Sequence, residues 1–239
     1  MWTKESIKAL PVKNGYSLRG LDMTRLETFT DASFAFAVTL LIISSGSIPK
    51  SYSEFVIALK DIPAFAASFL LFAFLWIGHR SWSRRFGLED RYSTLLSLVL
   101  VFTVLVYVYP LKLICSMLFS WLSNGVLPAT FLISTQQEVT SIFVIYGLGY
   151  SVLMAVYSLL YRHALQLKGE LVLSELEQKK TRSEMILYAV LSLTGFTSAL
   201  FALIMPEGIG IFAGFFYTTL PITMPLTARR LKRGKASKH

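Results

Sequence analysis

Charged residues, cysteine and histidine are all scarce in this chain of 239 residues. Asp, Glu, Lys and Arg together make up 15% of it, against about 25% in an ordinary soluble domain, whereas 54% of the residues are hydrophobic. The single cysteine, Cys115, excludes an intramolecular disulfide and lies in an apolar run. The composition therefore indicates an integral membrane protein with little chain left over for a soluble domain.

Motifs for enzyme chemistry are missing as well. The three histidines, His79, His163 and His239, have no neighbouring metal-ligand residues, and the chain contains neither HExxH nor GxSxG. It also lacks a Walker loop, a TVGYG filter and the spaced arginines of a voltage sensor. We therefore expect neither an enzyme nor a bound cofactor.

Six stretches are long and apolar enough to cross a bilayer as helices, which takes roughly 20 residues. They cover residues about 25–47, 55–79, 93–120, 139–161, 185–205 and 209–228. The expected fold is an all-α membrane protein with six transmembrane helices per chain, in which residues 1–239 form one domain.

The positive charges fall on one side of this map. If the N-terminus is cytoplasmic, then all 23 Lys and Arg residues except Lys50, Lys60 and Lys112 fall in cytoplasmic segments. An excess of Lys and Arg is typical of cytoplasmic loops. The pattern predicts cytoplasmic termini and a multi-pass protein of the cell (inner) membrane. It also accounts for the net charge of +9 without a nucleic-acid partner.

The first span begins with charged residues, among them Arg25 and Asp31, that a bilayer normally excludes. A carboxylate there is costly unless it is paired, and is by default a functional-site candidate. The second span returns to the same surface and carries Trp76 and His79 at a similar depth. We expect Asp31 to pair with His79 or Trp76, with Arg25 nearby. The alternative is an ordinary helix start, in which Thr30 and Asp31 cap or polarise the first turn.

These residues form a motif that resembles a known family. Arg25, Phe29 and Asp31 match the R-x-x-x-F-S-D signature of the prokaryotic branch of the lysosomal potassium channel family, transmembrane protein 175, with Thr30 in place of Ser. The further matching residues are Ala32, Ala35, Thr39, Leu40, Leu41, Pro49, Trp76 and His79.

The chain departs from the family pattern at three points. Phe36 stands where many members have an aliphatic residue, and Ser44 and Ser45 stand where many carry an acid. An asparagine expected early in the third span is not found, and Ser97 is the nearest candidate.

The resemblance implies a homotetramer in which four first helices surround a central potassium-selective pore. Helical spacing puts Phe36, Thr39 or Leu40, and Ile43 on one face of that helix. Apolar rings of such residues would close a narrow pore by dewetting, and a ring of Thr39 hydroxyls would bind K⁺, the transported ion. The alternative for Thr39 is a hydroxyl that bonds its own backbone one turn back.

Two other functions stay open. Asp31 and His79 could serve a secondary transporter or a proton-conducting pathway, because ionisable residues inside a membrane often form such relays. The chain could also be a non-conducting membrane scaffold. The expected partners are further copies of the same chain and the lipid bilayer.

Overall fold

The structure is a computed structural model that describes residues 2–44, 48–129, 134–205, 212–214 and 217. Within these residues it has seven α-helices and one short antiparallel pair of strands. In chain order the elements are α1 (Lys4–Lys8), β1 (Val12–Lys13), β2 (Tyr16–Ser17), α2 (Arg25–Ile43), α3 (Tyr52–Lys60), α4 (Ile62–Phe86), α5 (Arg91–Leu122), α6 (Gln136–Gln166) and α7 (Glu175–Ile204).

Five of the described helices, α2 and α4 to α7, are long and apolar enough to cross a membrane. Short connections join α4 to α5 and α6 to α7, so these neighbours run antiparallel. We use "hairpin end" for the end of the bundle beside β1 and β2, and "far end" for the opposite one. The helix ends at the hairpin end are Arg25, Phe86, Arg91, Gln166 and Glu175.

The predicted second span, about 55–79, corresponds to two consecutive helices. α3 ends at Lys60, and α4 begins at Ile62 and continues to Phe86. Pro63 has no N–H to donate to the carbonyl four residues before it, which interrupts the helical hydrogen bonds at this point. The extra turns of α4 carry a group of arginines beyond the apolar stretch.

The predicted sixth span, about 209–228, lies outside the described residues apart from 212–214 and 217. The other predicted spans each coincide with a helix. α6 and α7 extend beyond the apolar stretches 139–161 and 185–205 into the polar segment between them.

α2 begins at Arg25 because Thr24 caps it. The backbone N–H of Glu27 donates to the Thr24 hydroxyl at 3.1 Å, and the Glu27 carboxylate accepts from the Thr24 N–H at 3.2 Å. This capping box satisfies two N–H groups that the helix start would otherwise leave open. Asp31 lies inside the helix, beyond the first turn, and Thr30 donates its hydroxyl proton to the Leu26 carbonyl. Neither residue is the cap.

The helices pack through one apolar core and a close glycine contact. Phe34 of α2, Phe72 of α4 and Leu100 of α5 are each at most 4% exposed. α6 approaches α7 at Gly147 and Gly195, where a Cβ on either would lie 2.9 Å from the carbonyl oxygen of the other. Small residues at such crossings let two backbones come together, which gains van der Waals contact inside a membrane.

The segment before α2 is packed across the hairpin end. The Arg19 guanidinium binds Glu177 of α7 at 2.9 Å and donates to the Leu171 carbonyl at 2.8 Å. A Cβ at Gly20 would lie 2.6 Å from the Ser83 carbonyl oxygen of α4, so this approach requires glycine. The chain therefore enters α2 from a segment that is fixed to both α4 and α7.

Candidate functional site

α2 has one packed face and one open face. The residues of the packed face are Thr30, Phe34, Ala37 and Leu41, all buried. The exposed residues, which form the open face, are Arg25, Thr28, Phe29, Ala32, Ala35, Phe36, Thr39, Ile42 and Ile43. Both sets recur at spacings of three and four, as the two sides of one helix do. The chain therefore covers one side of α2 and leaves the other uncovered.

The residues predicted to line a pore divide between these faces. Phe36 and Ile43 are 55% and 61% exposed and lie on the open face together with Thr39. Leu40 is half-buried and packs against the core. Of the two candidates at this level, Thr39 is the one that shares a face with Phe36 and Ile43.

The Thr39 hydroxyl donates its proton to the carbonyl of Ala35 one turn back, at 3.2 Å. This is the backbone bond that was the alternative for this residue. A hydroxyl has one proton and two lone pairs, so this bond leaves the lone pairs of Oγ1 free to accept. An oxygen in this state can still face a cation.

Asp31 is held by the second long helix. Trp76 donates its indole Nε1–H to Asp31 Oδ1 at 2.7 Å, which joins α4 to α2. Hydrogen bonds to an ionised carboxylate are among the stronger ones in proteins. The Arg80 guanidinium lies over the Trp76 ring, 5.3 Å from its centroid. Arg25 is exposed and makes no ion pair with any residue that the structure describes.

His79 has a different partner. It is 2% exposed, and its Nε2 lies 3.0 Å from the hydroxyl oxygen of Ser97 on α5. Of the two side chains predicted to pair with Asp31, the structure thus brings Trp76 to the carboxylate and directs His79 to α5. Ser97, which stands nearest to the asparagine of the family pattern, is fully buried at this contact.

Sequence reasoning missed a buried ion pair between α5 and the junction of α3 and α4. Lys112 Nζ lies 3.0 Å from Asp61 Oδ2, and the side chains are 4% and 8% exposed. The signal was a lysine within a long apolar stretch, since such residues in membrane helices usually pair with an opposite charge. The distribution of positive charge placed Lys112 on the outer side, but no opposite charge was sought for it.

Comparisons with known proteins agree on one family. A family model described as "Endosomal/lysosomal potassium channel TMEM175" matches residues 25–110, the part that contains Asp31, Trp76, His79 and Ser97. A curated protein of Marivirga tractuosa, named "Potassium channel", is 34% identical over 211 residues, which are 84% of this chain and 85% of that protein. The chain belongs to the TMEM175 potassium channel family. The resemblance seen in the first span is thereby confirmed.

Solved structures of the TMEM175 family have the same fold. A crystal structure of a variant of the potassium channel MtTMEM175, in complex with a nanobody–MBP fusion protein, superposes with a TM-score of 0.82 at 30% identity. It covers 94% of this chain and 100% of that one. A lysosomal potassium-selective channel TMEM175 homolog from Chamaesiphon minutus has a TM-score of 0.50 at 18% identity, over 87% and 96% of the chains, and shows the fold alone.

Membership of the TMEM175 family agrees with the helical composition of the chain. With five described helices able to span a bilayer, it is a multi-pass membrane protein. Its relatives carry the names of potassium channels, which are not enzymes.

Proposed function

We propose that the chain is a potassium-selective channel that works as a homotetramer, with four α2 helices around a central pore. The observation that carries this proposal is the open face of α2. One side of the helix is buried in its own chain, and the other exposes mainly apolar side chains, with the Thr39 hydroxyl between Phe36 and Ile43. Four copies of the chain, each turning this side of α2 towards a common axis, would cover these side chains. The transported ion is inferred from the relatives, which are named as potassium channels.

The open face would form three levels along the pore. Phe36, Thr39 and Ile43 lie three and four residues apart, which is about 4.5 and 6 Å along the helix axis. Rings of Phe36 and Ile43 are apolar constrictions that close the path by dewetting, and a Thr39 ring offers oxygens in place of part of the ion's hydration shell. Leu40, packed towards the core, supports this arrangement from behind.

The contact between Trp76 and Asp31 would set the rotation of α2. It joins the helix to α4 at Asp31, which is half-buried between the two faces. His79 strengthens the same support by bonding α4 to Ser97 of α5. Because the two side chains have separate partners, the contacts favour a structural role over a proton relay between Asp31 and His79.

Thr39→Ala tests the channel directly. Purified protein in liposomes should conduct K⁺, and the variant should shift the bi-ionic reversal potential towards equal K⁺ and Na⁺ permeability. Thr39→Ser keeps the hydroxyl and is the matched control, with the parent's reversal potential expected. A Thr39→Ala channel that keeps the parent's reversal potential would mean that the pore follows another face or another helix.

The same assay separates the two rival functions. A flux that saturates with substrate and needs a counter-ion would indicate a secondary transporter, and no flux at any voltage or pH would indicate a scaffold. Phe36→Ala should raise the leak current if that ring is the closed constriction. A current equal to the parent's in this variant would mean that Phe36 does not form the closed constriction.

The proposed topology is one domain, residues 1–239, with six spans and both termini in the cytoplasm of the cell that makes it. The distribution of Lys and Arg supports it. In a Cys115→Ser background, cysteines introduced at Thr130 and Glu207 should react only with a reagent added outside. Reaction from the cytoplasmic side alone would overturn this map.

A further inference from the structure

A cavity at the hairpin end is lined by four basic side chains. Arg80, Arg84 and Arg85 come from the last turns of α4, and Lys13 comes from β1 on the other side. Its volume of about 180 Å³ is that of roughly six water molecules, which is room for a phosphate group. The polar side chains of Asn14 and Ser81 complete the lining.

Most of this positive charge is uncompensated. Arg85 is neutralised by Glu184 at 2.9 Å, but Lys13, Arg80 and Arg84 make no ion pair with any described residue. Arg80 and Arg84 are also four residues apart on one helix, where like charges repel and destabilise. An anion bound between them would offset this repulsion.

The two sides of the cavity are held in position by contacts outside it. The backbone N–H of Gly20 donates to the Arg84 carbonyl at 3.1 Å. Lys180 donates to the Asn14 carbonyl at 2.6 Å, and the Arg85 guanidinium lies 4.5 Å from the centroid of the Tyr16 ring. The backbones of the hairpin and of the end of α4 are thus held in place on the two sides of the cavity.

An apolar surface adjoins the cations. Ile77, which lines the cavity one turn before Ser81, is 51% exposed, and Phe74 before it is 68% exposed. A basic pocket directly beside lipid-facing apolar side chains is typical of sites for phospholipid headgroups, with the acyl chains along the helix. A free phosphate ion would use the cations but would have no need of this apolar surface.

We propose that the cavity between the β1–β2 hairpin and the end of α4 binds the phosphate headgroup of an anionic membrane phospholipid. Arginine guanidinium groups bind phosphate oxygens through paired hydrogen bonds, and two of them are available here. Arg80 also lies over Trp76, whose indole holds Asp31. Only the Trp76 side chain would therefore separate a headgroup bound to Arg80 from the hydrogen bond that joins α4 to α2.

Native mass spectrometry of the full chain with phosphatidylglycerol or phosphatidylcholine tests this site, and binding is measured without any need for ion conduction. Phosphatidylglycerol should bind more tightly than phosphatidylcholine. The double variant Arg80→Gln/Arg84→Gln should lose about 30-fold in affinity for phosphatidylglycerol, at about fivefold for each basic residue removed. The double variant Arg91→Gln/Arg182→Gln removes the same charge at the same end, outside the cavity, and should stay within about twofold of the parent.

Equal losses in the two double variants would overturn the proposal, because they would mean general attraction to a basic surface. Displacement of the lipid by excess inorganic phosphate at constant ionic strength, together with equal binding of both lipids, would assign the cavity to a free anion instead. If the first double variant does not fold, Lys13→Gln on the exposed hairpin replaces it. Its expected loss is about fivefold, and parent affinity in a folded Lys13→Gln chain would equally count against the site.

Discussion

The hairpin end and the far end of the bundle use charge in different ways. At the hairpin end, two ion pairs, Arg19–Glu177 and Arg85–Glu184, and a hydrogen bond between His163 and Asp90 tie different elements together. At the far end, the described residues contain one ion pair, Lys112–Asp61, which is almost fully buried. The cations without a partner at the hairpin end, such as Arg84, are exposed, and solvent screens them. The two pairs with buried side chains, Arg19–Glu177 and Lys112–Asp61, persist because each buried charge has a partner.

The largest effect should come from the pair that joins three segments at the hairpin end. Glu177→Ala leaves Arg19, whose side chain is fully buried, without its carboxylate. Removing one partner of a buried pair costs about 4 kcal/mol, or roughly 10 °C in the midpoint of thermal unfolding. Glu175→Ala is the matched control, since Glu175 is exposed and pairs only with Lys179 on the same helix. Similar midpoints for the two variants would show that the buried pair contributes little.

The second-largest loss of stability is expected at the far-end pair, Lys112–Asp61. Lys112→Met leaves the Asp61 carboxylate buried beside an apolar side chain, at an expected cost of about 3 kcal/mol in the free energy of unfolding. The double variant Asp61→Asn/Lys112→Met should recover most of this loss, because no charge then remains unpaired. A double variant as unstable as Lys112→Met would mean that the lysine acts through other contacts. Thermal unfolding in detergent measures both.

A smaller effect is expected at the contact between α2 and α4. Asp31→Ala and Trp76→Phe should each cost about 2 kcal/mol, since each removes a hydrogen bond to a charged group. Because both variants break the same bond, the double variant should cost clearly less than the sum of the two. Additive losses would indicate that the residues act independently. If the proposed tetramer depends on this contact, its yield on size-exclusion chromatography should fall in all three variants.

The smallest effect should be a pH dependence at the solvent-exposed side of the hairpin end. Burial raises the pKa of Asp90, but hydrogen bonds from Ser93 and Tyr92 and the nearby His163 outweigh it and hold the pKa below the ordinary value. A carboxyl with a lowered pKa stabilises the fold fully above its unfolded pKa, and this is lost as pH falls through the folded pKa. The parent should therefore exceed Asp90→Asn in thermal midpoint at about pH 6 and lose that advantage at about pH 3. An advantage unchanged with pH would mean that the charge of Asp90 does not contribute to it.

The comparison of the two ends also marks where sequence reasoning succeeded. Hydrophobic length is a local property, so five of the six apolar stretches coincided with membrane-length helices without any knowledge of contacts, and the sixth lies outside the described residues apart from 212–214 and 217. The motif from Arg25 to Asp31 was sufficient to indicate the family, because its residues lie close together at the start of one helix. The break at Asp61 was missed although Pro63 signalled it, because the apolar stretch continued on both sides.

What the sequence by itself determined is the helical, membrane-spanning character of the chain and its family, because both rest on residues close together along the chain. Only the tertiary structure decided the pairings: Trp76 rather than His79 at Asp31, Ser97 at His79, and Glu177 at Arg19. These partners are 45, 18 and 158 residues apart. Periodicity within one helix gives the face of a side chain and its approximate depth, but not which of several polar groups at that depth it meets. That choice depends on how the helices rotate and cross, which is settled by packing of the whole bundle.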